Sequence, residues 1–210
     1  MEQAKRFDGF VSYSHKTDSH IASALHTGLR RFGRPWYKLS STRVFRDETN
    51  LTATPSLWGD VKNALDASEY LILMASPAAA KKSDWVPREL AYWLTGGRYE
   101  DPAQLGPDAV IREQFEHLLI VLSDGNIVWD NERGDFDWLQ TDALPDALAS
   151  VFDNEPFWVD LRWARALSQS DLGRRNRRFN EALAKLLSPI RGKDYLALLD
   201  EEVAKLRPAE

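Results

Sequence analysis

Tyr70-Leu-Ile-Leu-Met-Ala75 runs six residues with no charged or amide side chain, bounded by Glu69 on one side and Ser76-Pro77 on the other. A strand with one wet face alternates apolar and polar residues, whereas an unbroken run of strand length belongs to a strand covered on both faces, which favours a parallel sheet between helices. Leu118-Leu-Ile-Val-Leu122 repeats the pattern, and Phe10-Val-Ser-Tyr13, preceded by Phe7, offers a third run. Arg43-Val-Phe45 reads as a short second strand and residues 156–161 as a fifth.

Helical patterns separate these runs. Ile21, Leu25 and Leu29 recur at i, i+4 and i+8 with Phe32 one turn on; Thr17 or Asp18 is expected to cap the start, and Gly33 and Pro35 mark the stop. Thr54-Pro55 reads as an N-cap followed by proline at N1, opening a helix whose buried stripe is Leu57, Val61 and Leu65. Ser83 or Asp84 opens another helix through about Leu94, with Pro87 tolerated in the first turn, where N–H groups have no helical partner. Alternation of strand and helix implies an open doubly wound sheet whose ligands gather at the carboxyl ends of the strands. The loops to inspect are therefore residues 14–18, 46–54, 76–84 and 123–126.

The 210 residues carry 43% hydrophobic side chains, no cysteine, and 27 Lys and Arg against 32 Asp and Glu. The length fits one large domain, and the missing sulfur excludes disulfides, thiol nucleophiles and thiolate zinc sites. A formal net charge of −5 provides no whole-chain attraction for phosphate backbones, so nucleic acid is not expected as a partner. No apolar run approaches the ~20 residues that cross a bilayer, and residues 1–6 do not open into a secretory signal, so no membrane partner and a cytoplasmic location are expected. Residues 96–114 are rich in Gly, Pro and charge and read as a surface loop. Residues 130–155 carry eight acids against Arg133 alone, yet Phe136, Trp138, Leu139 and Leu144 imply that the segment is partly folded. Residues 171–193 hold seven Lys or Arg against two acids; the helix there, about 175–187, puts Phe179, Leu183, Leu186 and Leu187 on one face, and its basic side, 173–178, is read as answering the acidic insertion. A last helix from Asp194 would bury Tyr195, Leu198, Leu199, Val203 and Leu206.

Chemistry concentrates in three segments: Phe10-Val-Ser-Tyr-Ser-His15, Arg43-Val-Phe-Arg-Asp-Glu48 and Ser83-Asp-Trp-Val-Pro-Arg-Glu-Leu90. In this order and spacing they resemble the Toll/interleukin-1 receptor (TIR) domain family, particularly its bacterial, NAD-cleaving members. The resemblance implies a flavodoxin-like α/β fold: a five-stranded parallel sheet with helices on both faces and a helical C-terminal extension. Residues 1–190 would form the TIR domain, with insertions at about 96–114 and 130–155, and residues 191–210 the extension. It further implies cleavage of NAD+ at the nicotinamide–ribose bond, with NAD+ as substrate and no cofactor. The family's catalytic glutamate lies four residues after a tryptophan, and the matching pair here is Trp85 and Glu89. Tyr13, Ser14 and His15 match positions that approach the nucleotide, Asp47 an acidic position bordering it, and residues 46–55, with Arg46 at the start, a loop that caps the cleft or reaches a neighbouring protomer. Trp58 is a further pocket candidate. The setting implied is a bacterial signalling or anti-phage defence effector activated by self-association with other TIR domains; the alternative is a non-catalytic TIR module that self-associates through the 46–55 loop.

The residues make chemical sense without the family. Residues i and i+4 share a helix face, so the Trp85 indole and the Glu89 carboxylate can line one cleft, and the helix dipole favours negative charge there. Nicotinamide in NAD+ is already a cationic leaving group and needs no proton. Positive charge develops on the ribose instead, where one carboxylate stabilises it and an aromatic wall stacks the base. Ser14-His15 has no acid placed to orient the histidine as a hydrolytic dyad would require. His15, His20, His26 and His117 lack ligand spacing, so no metal site is expected. Gly96-Gly97 is not a phosphate cradle, and Tyr13-Ser14-His15 lacks the clustered aspartates of a phosphoacceptor receiver.

Overall fold

Continuous apolar runs need cover on two sides, and they receive it. The computed structural model describes residues 7–32, 44–46 and 57–206. Its strands are β1 (Phe7–Ser12), β2 (Val44–Arg46), β3 (Ser68–Ala75), β4 (Leu118–Leu122), β5 (Trp129–Asp130), β6 (Asp135–Phe136) and β7 (Trp158–Asp160). Five of them form one sheet in the order β2-β1-β3-β4-β7, every pair parallel, while β5 and β6 make a separate antiparallel hairpin. The register sets Phe10 between Phe45 and Leu71, and Leu73 between Ser12 and Ile120.

Side chains alternate across a strand, so each run feeds two cores. Phe10, Leu71, Leu73, Ile120 and Leu122 face α2 (Leu57–Asp66) and α4 (Trp85–Leu94) through Val61, Leu65, Val86, Leu90 and Leu94. Val11, Tyr13, Ile72, Met74 and Val121 face α1 (Ser19–Arg31) and α6 (Arg177–Arg191) through Ile21, Leu25, Leu29, Phe179 and Leu183. The two helices of the second layer approach closely because Gly28 has no side chain: a Cβ there would lie 2.7 Å from Leu183 Cδ1.

Local chemistry departs from the sequence reading at several points. Asp18 does occupy the N-cap position of α1, but its side chain makes no capping bond. Gly33, Pro35 and Thr54-Pro55 lie outside the described residues. A short helix, α3 (Pro77–Lys81), interrupts the 76–84 loop; Ser76 caps it by accepting from Ala79 N at 3.1 Å, and Pro77 fits the first turn. Five residues are too few to show a helical period. For α4 it is Ser83, not Asp84, whose Oγ accepts the Trp85 and Val86 N–H groups, both at 3.2 Å. Leu57 is 38% exposed and does not join the α2 stripe. In α7 (Tyr195–Leu206) Leu198 is the buried anchor, while Tyr195 and Val203 are exposed.

Residues 96–114, read as a surface loop, contain two 3₁₀ turns, Pro102–Gln104 and Pro107–Ala109, and the start of α5 (Arg112–Glu116), with Leu105 buried between them. The acidic insertion is folded: Phe136, Leu144, Leu148 and Phe152 join the α2/α4 core, although Leu139 is exposed. Four of its acids accept backbone N–H groups. Asp130 accepts from the N–H groups of Glu132 and Arg133, Asp135 from Ser150, Asp137 from Leu139 and Asp142 from Asn126. The basic run answers other partners: Arg174 lies 3.9 Å from Glu202, Arg177 3.2 Å from Glu181, and the Arg178 guanidinium 4.4 Å over the Trp163 ring. Among the described residues no helix is long and apolar enough to cross a membrane.

Candidate active site

Strand order reverses at β1, which lies between β2 and β3. In open α/β sheets the crevice beyond the carboxyl ends of the strands at that switch point is where ligands bind. Ser12, the last residue of β1, projects on the Phe10 side, towards α4, and its hydroxyl donates to Glu89 Oε2. Both side chains are buried, Ser12 at 1% exposure and Glu89 at 2%. Glu89 lies on the inward face of α4 among Val86, Leu90 and Trp93, a placement that costs free energy unless the carboxylate is hydrogen-bonded. A carboxylate held in this way at a switch point is a candidate functional group.

Trp85, four residues earlier, is partly buried at the N-terminus of the same helix. Its ring lies 5.9 Å from that of Trp58, which in turn meets Tyr92 edge-on at 5.9 Å. Trp58 is held tightly: the Arg88 guanidinium stacks 4.0 Å over its ring, and its Nε1 donates to Glu100 Oε2 at 2.8 Å. Lys62 and Arg88 also donate to Glu100, each at 2.8 Å. Hydrogen bonds from Lys62, then Arg88, with a smaller contribution from Trp58, hold the Glu100 carboxyl down to about 2. Burial, then its hydrogen bond to Asp66, pushes the Tyr92 hydroxyl up to about 12.

The Glu100 cluster yields a pH prediction. Its folded value of about 2 lies below the ordinary 4.5, so the stabilisation is complete above about 4.5 and lost as pH falls through about 2. The carboxylate is 37% exposed and screened by solvent, so the effect is modest. Urea midpoints of wild type and Glu100→Gln should converge as pH drops across this window; a constant gap would show that charge at Glu100 does not matter.

The other residues singled out in the sequence fall in different places. Tyr13 is buried in the opposite layer, beside Val11, and stacks on the exposed His15 ring with centroids 4.6 Å apart and planes at 14°. It therefore does not share the Glu89 side of the sheet. Ser14 and His15 lie in the turn leaving β1, where the Ser14 carbonyl accepts from Thr17 N at 3.2 Å and Asp18 N at 2.9 Å. Arg46 ends β2 beside Val11; its side chain, Asp47 and residues 47–55 lie outside the described residues. Sequence reasoning passed over Ser12, Lys62, Arg88 and Glu100. A hydroxyl ending an apolar strand on the Phe10 parity was the available signal for Ser12; nothing local marked Glu100. Among the described residues no three His, Asp or Glu side chains gather as metal ligands. A cleft of about 450 Å³, lined by Phe115, Leu118, Phe152, Phe157 and Lys185, opens at the start of β4, at the end of the sheet away from this site.

Sheet order and parallel pairing define a flavodoxin-like α/β domain, and the buried glutamate marks a candidate site at the mouth of β1 and β3. The chain is 40% identical over 202 residues to the protein named NAD(+) hydrolase ApTIR of Actinoplanes sp., an alignment covering 96% of this chain and 25% of that protein. With that likeness, the strand order and the three motifs in register, the chain belongs to the TIR domain family. It spans about a quarter of the length of this curated relative. No family model and no solved structure matches the chain.

Proposed function

We propose that this domain cleaves NAD+ at the nicotinamide–ribose bond. The observation that carries the proposal is the buried Glu89 carboxylate, hydrogen-bonded by Ser12 where the strand order reverses. Two further facts support it: the Trp85–Trp58 aromatic wall on the same side of the sheet, and the activity in the relative's name. In the reaction the C1′–N bond breaks and its electron pair moves to the pyridinium nitrogen, which leaves as neutral nicotinamide. The cation left at C1′ faces Glu89, and water or an adenine nitrogen then supplies a new pair, giving ADP-ribose or cyclic ADP-ribose; the attacking water loses its proton to solvent. Glu89 is the only group asked to carry charge, Trp85 and Trp58 wall the base, and Ser14 and His15 contact the nucleotide from the β1 turn. Arg46, Asp47 and the 46–55 loop border the cleft and take part in assembly with a second TIR domain, in a cytoplasmic signalling or defence role, with residues 191–210 as an extension of the 1–190 domain.

The test is nicotinamide release from NAD+ by concentrated or crowded protein. No release under any assembling condition would favour the scaffold reading. Ser12→Ala removes one hydrogen bond to a charged group and is expected to lower kcat about 10- to 100-fold with KM little changed. Unchanged kcat would mean that the Ser12 contact is not used in turnover.

A further inference from the structure

Asp18 is fully buried and capped by none of the chemistry its position at the head of α1 suggests. Its carboxylate instead gathers donors from three other parts of the chain. Ser76 Oγ, just past β3, donates to Oδ2 at 2.8 Å; Ser123 Oγ, just past β4, lies 3.0 Å from Oδ1. Arg165, in the 3₁₀ turn Arg162–Ala166 that follows β7, donates to Oδ1 at 3.0 Å. Thr17 Oγ1 adds a local bond to Oδ2 at 3.2 Å. The Asp18 N–H in turn bonds the Ser14 carbonyl, which ties the carboxylate to the turn leaving β1. One side chain thus joins the carboxyl-end loops of β1, β3, β4 and β7, four of the five strands of the sheet.

Such an arrangement exceeds what capping a helix needs. A buried carboxylate with one cationic partner is costly to assemble and destabilising to break, yet it imposes geometry that an apolar contact would not. The geometry it imposes here is that of residues 14–17, which begin two residues beyond Ser12 and its bond to Glu89. Resting on the NAD+ cleavage proposed above, we infer that Asp18 and Arg165 form a positioning pair that fixes the β1 turn against the reacting ribose and couples it to the segment after β7. Neither side chain touches substrate. Arg165 is the accessible half, with its side chain 29% exposed and a second contact to Asp124 at 3.8 Å.

Arg165→Met is the variant of choice, because it leaves Asp18 with its three hydroxyl donors. Two readouts are taken. Amide exchange of Thr17 and Asp18, both bonded to the Ser14 carbonyl, is expected to accelerate about tenfold, while amides of α6 such as Leu183 keep the wild-type rate. Nicotinamide release is expected to show kcat reduced about tenfold with KM less affected, and Arg165→Lys, which keeps the charge, to recover part of the loss. Wild-type exchange at Thr17 and Asp18 in Arg165→Met overturns the pair as a positioning device, whatever happens to activity. Faster exchange with unchanged kcat overturns its link to catalysis. If wild type itself releases no nicotinamide, the NAD+ reading fails, and exchange alone still decides whether Arg165 holds the turn.

Discussion

Glu89→Gln is expected to lower nicotinamide release by about 10³-fold or more while leaving the protein folded. The reasoning begins with burial. A carboxylate at 2% exposure has given up its hydration, and the Ser12 hydroxyl offsets part of that cost. Glutamine has the same shape and keeps an acceptor for Ser12, but removes the charge that is expensive to bury. In the folded protein that exchange keeps the packing of the side chain. In the transition state it removes the negative charge facing a ribose that becomes cationic, and that effect is realised only during reaction. Glu89→Ala should match it in activity yet lose stability, because the side chain volume beside Val86 and Leu90 goes unfilled. Thermal midpoints measured beside release rates separate the two. Appreciable turnover by Glu89→Gln would show that charge at this position is not the source of catalysis.

Elements with a strong period could be read from sequence, and elements defined by partners distant in the chain could not. β3 and β4 announced themselves because both faces are covered, and α1 and α6 because their apolar residues recur on one face. The α2 and α7 stripes were drawn too wide: Leu57, Tyr195 and Val203 have the right spacing but stay exposed. At the site, Trp85 and Glu89 were singled out by the resemblance to the TIR family, and their i, i+4 spacing agrees with a shared helix. Tyr13 was grouped with them by the same resemblance, and alternation along β1 sends Ser12 and not Tyr13 to the Glu89 side. The Glu100 cluster gathers Trp58, Lys62 and Arg88 from two helices, and Asp18 draws on three loops, so neither leaves a local mark. Net charge misled in a different way. Eight acids in residues 130–155 suggested a counter-surface for the arginines of α6, whereas Asp130, Asp135 and Asp137 bind backbone N–H groups of the insertion itself and Asp146 and Asp153 pair with Lys81 and Arg112.

Phe136→Ala carries the largest expected stability effect. The ring is 1% exposed and meets Trp129, Trp138 and Phe152 edge-on at 5.1, 5.6 and 5.3 Å, and Phe152 meets Phe115 of α5 at 5.0 Å. These rings join the insertion to the layer that also contains Val86, Leu90 and Leu122, so the cavity would open inside the main core. Truncating a buried phenylalanine costs about 3–5 kcal/mol, and in a chain of this size each kcal/mol lowers the midpoint by about 2–4 °C. The expected outcome is a single cooperative transition about 6–20 °C lower, detected by the loss of tryptophan fluorescence. Leu139→Ala is the internal control: it lies in the same segment, three residues away, but at 92% exposure it buries nothing, and its change should stay within about 0.5 kcal/mol. If the insertion were an appendage, Phe136→Ala would give an early, separate transition and leave the main one in place. A Phe136→Ala midpoint no lower than that of Leu139→Ala would put the aromatic cluster outside the core altogether.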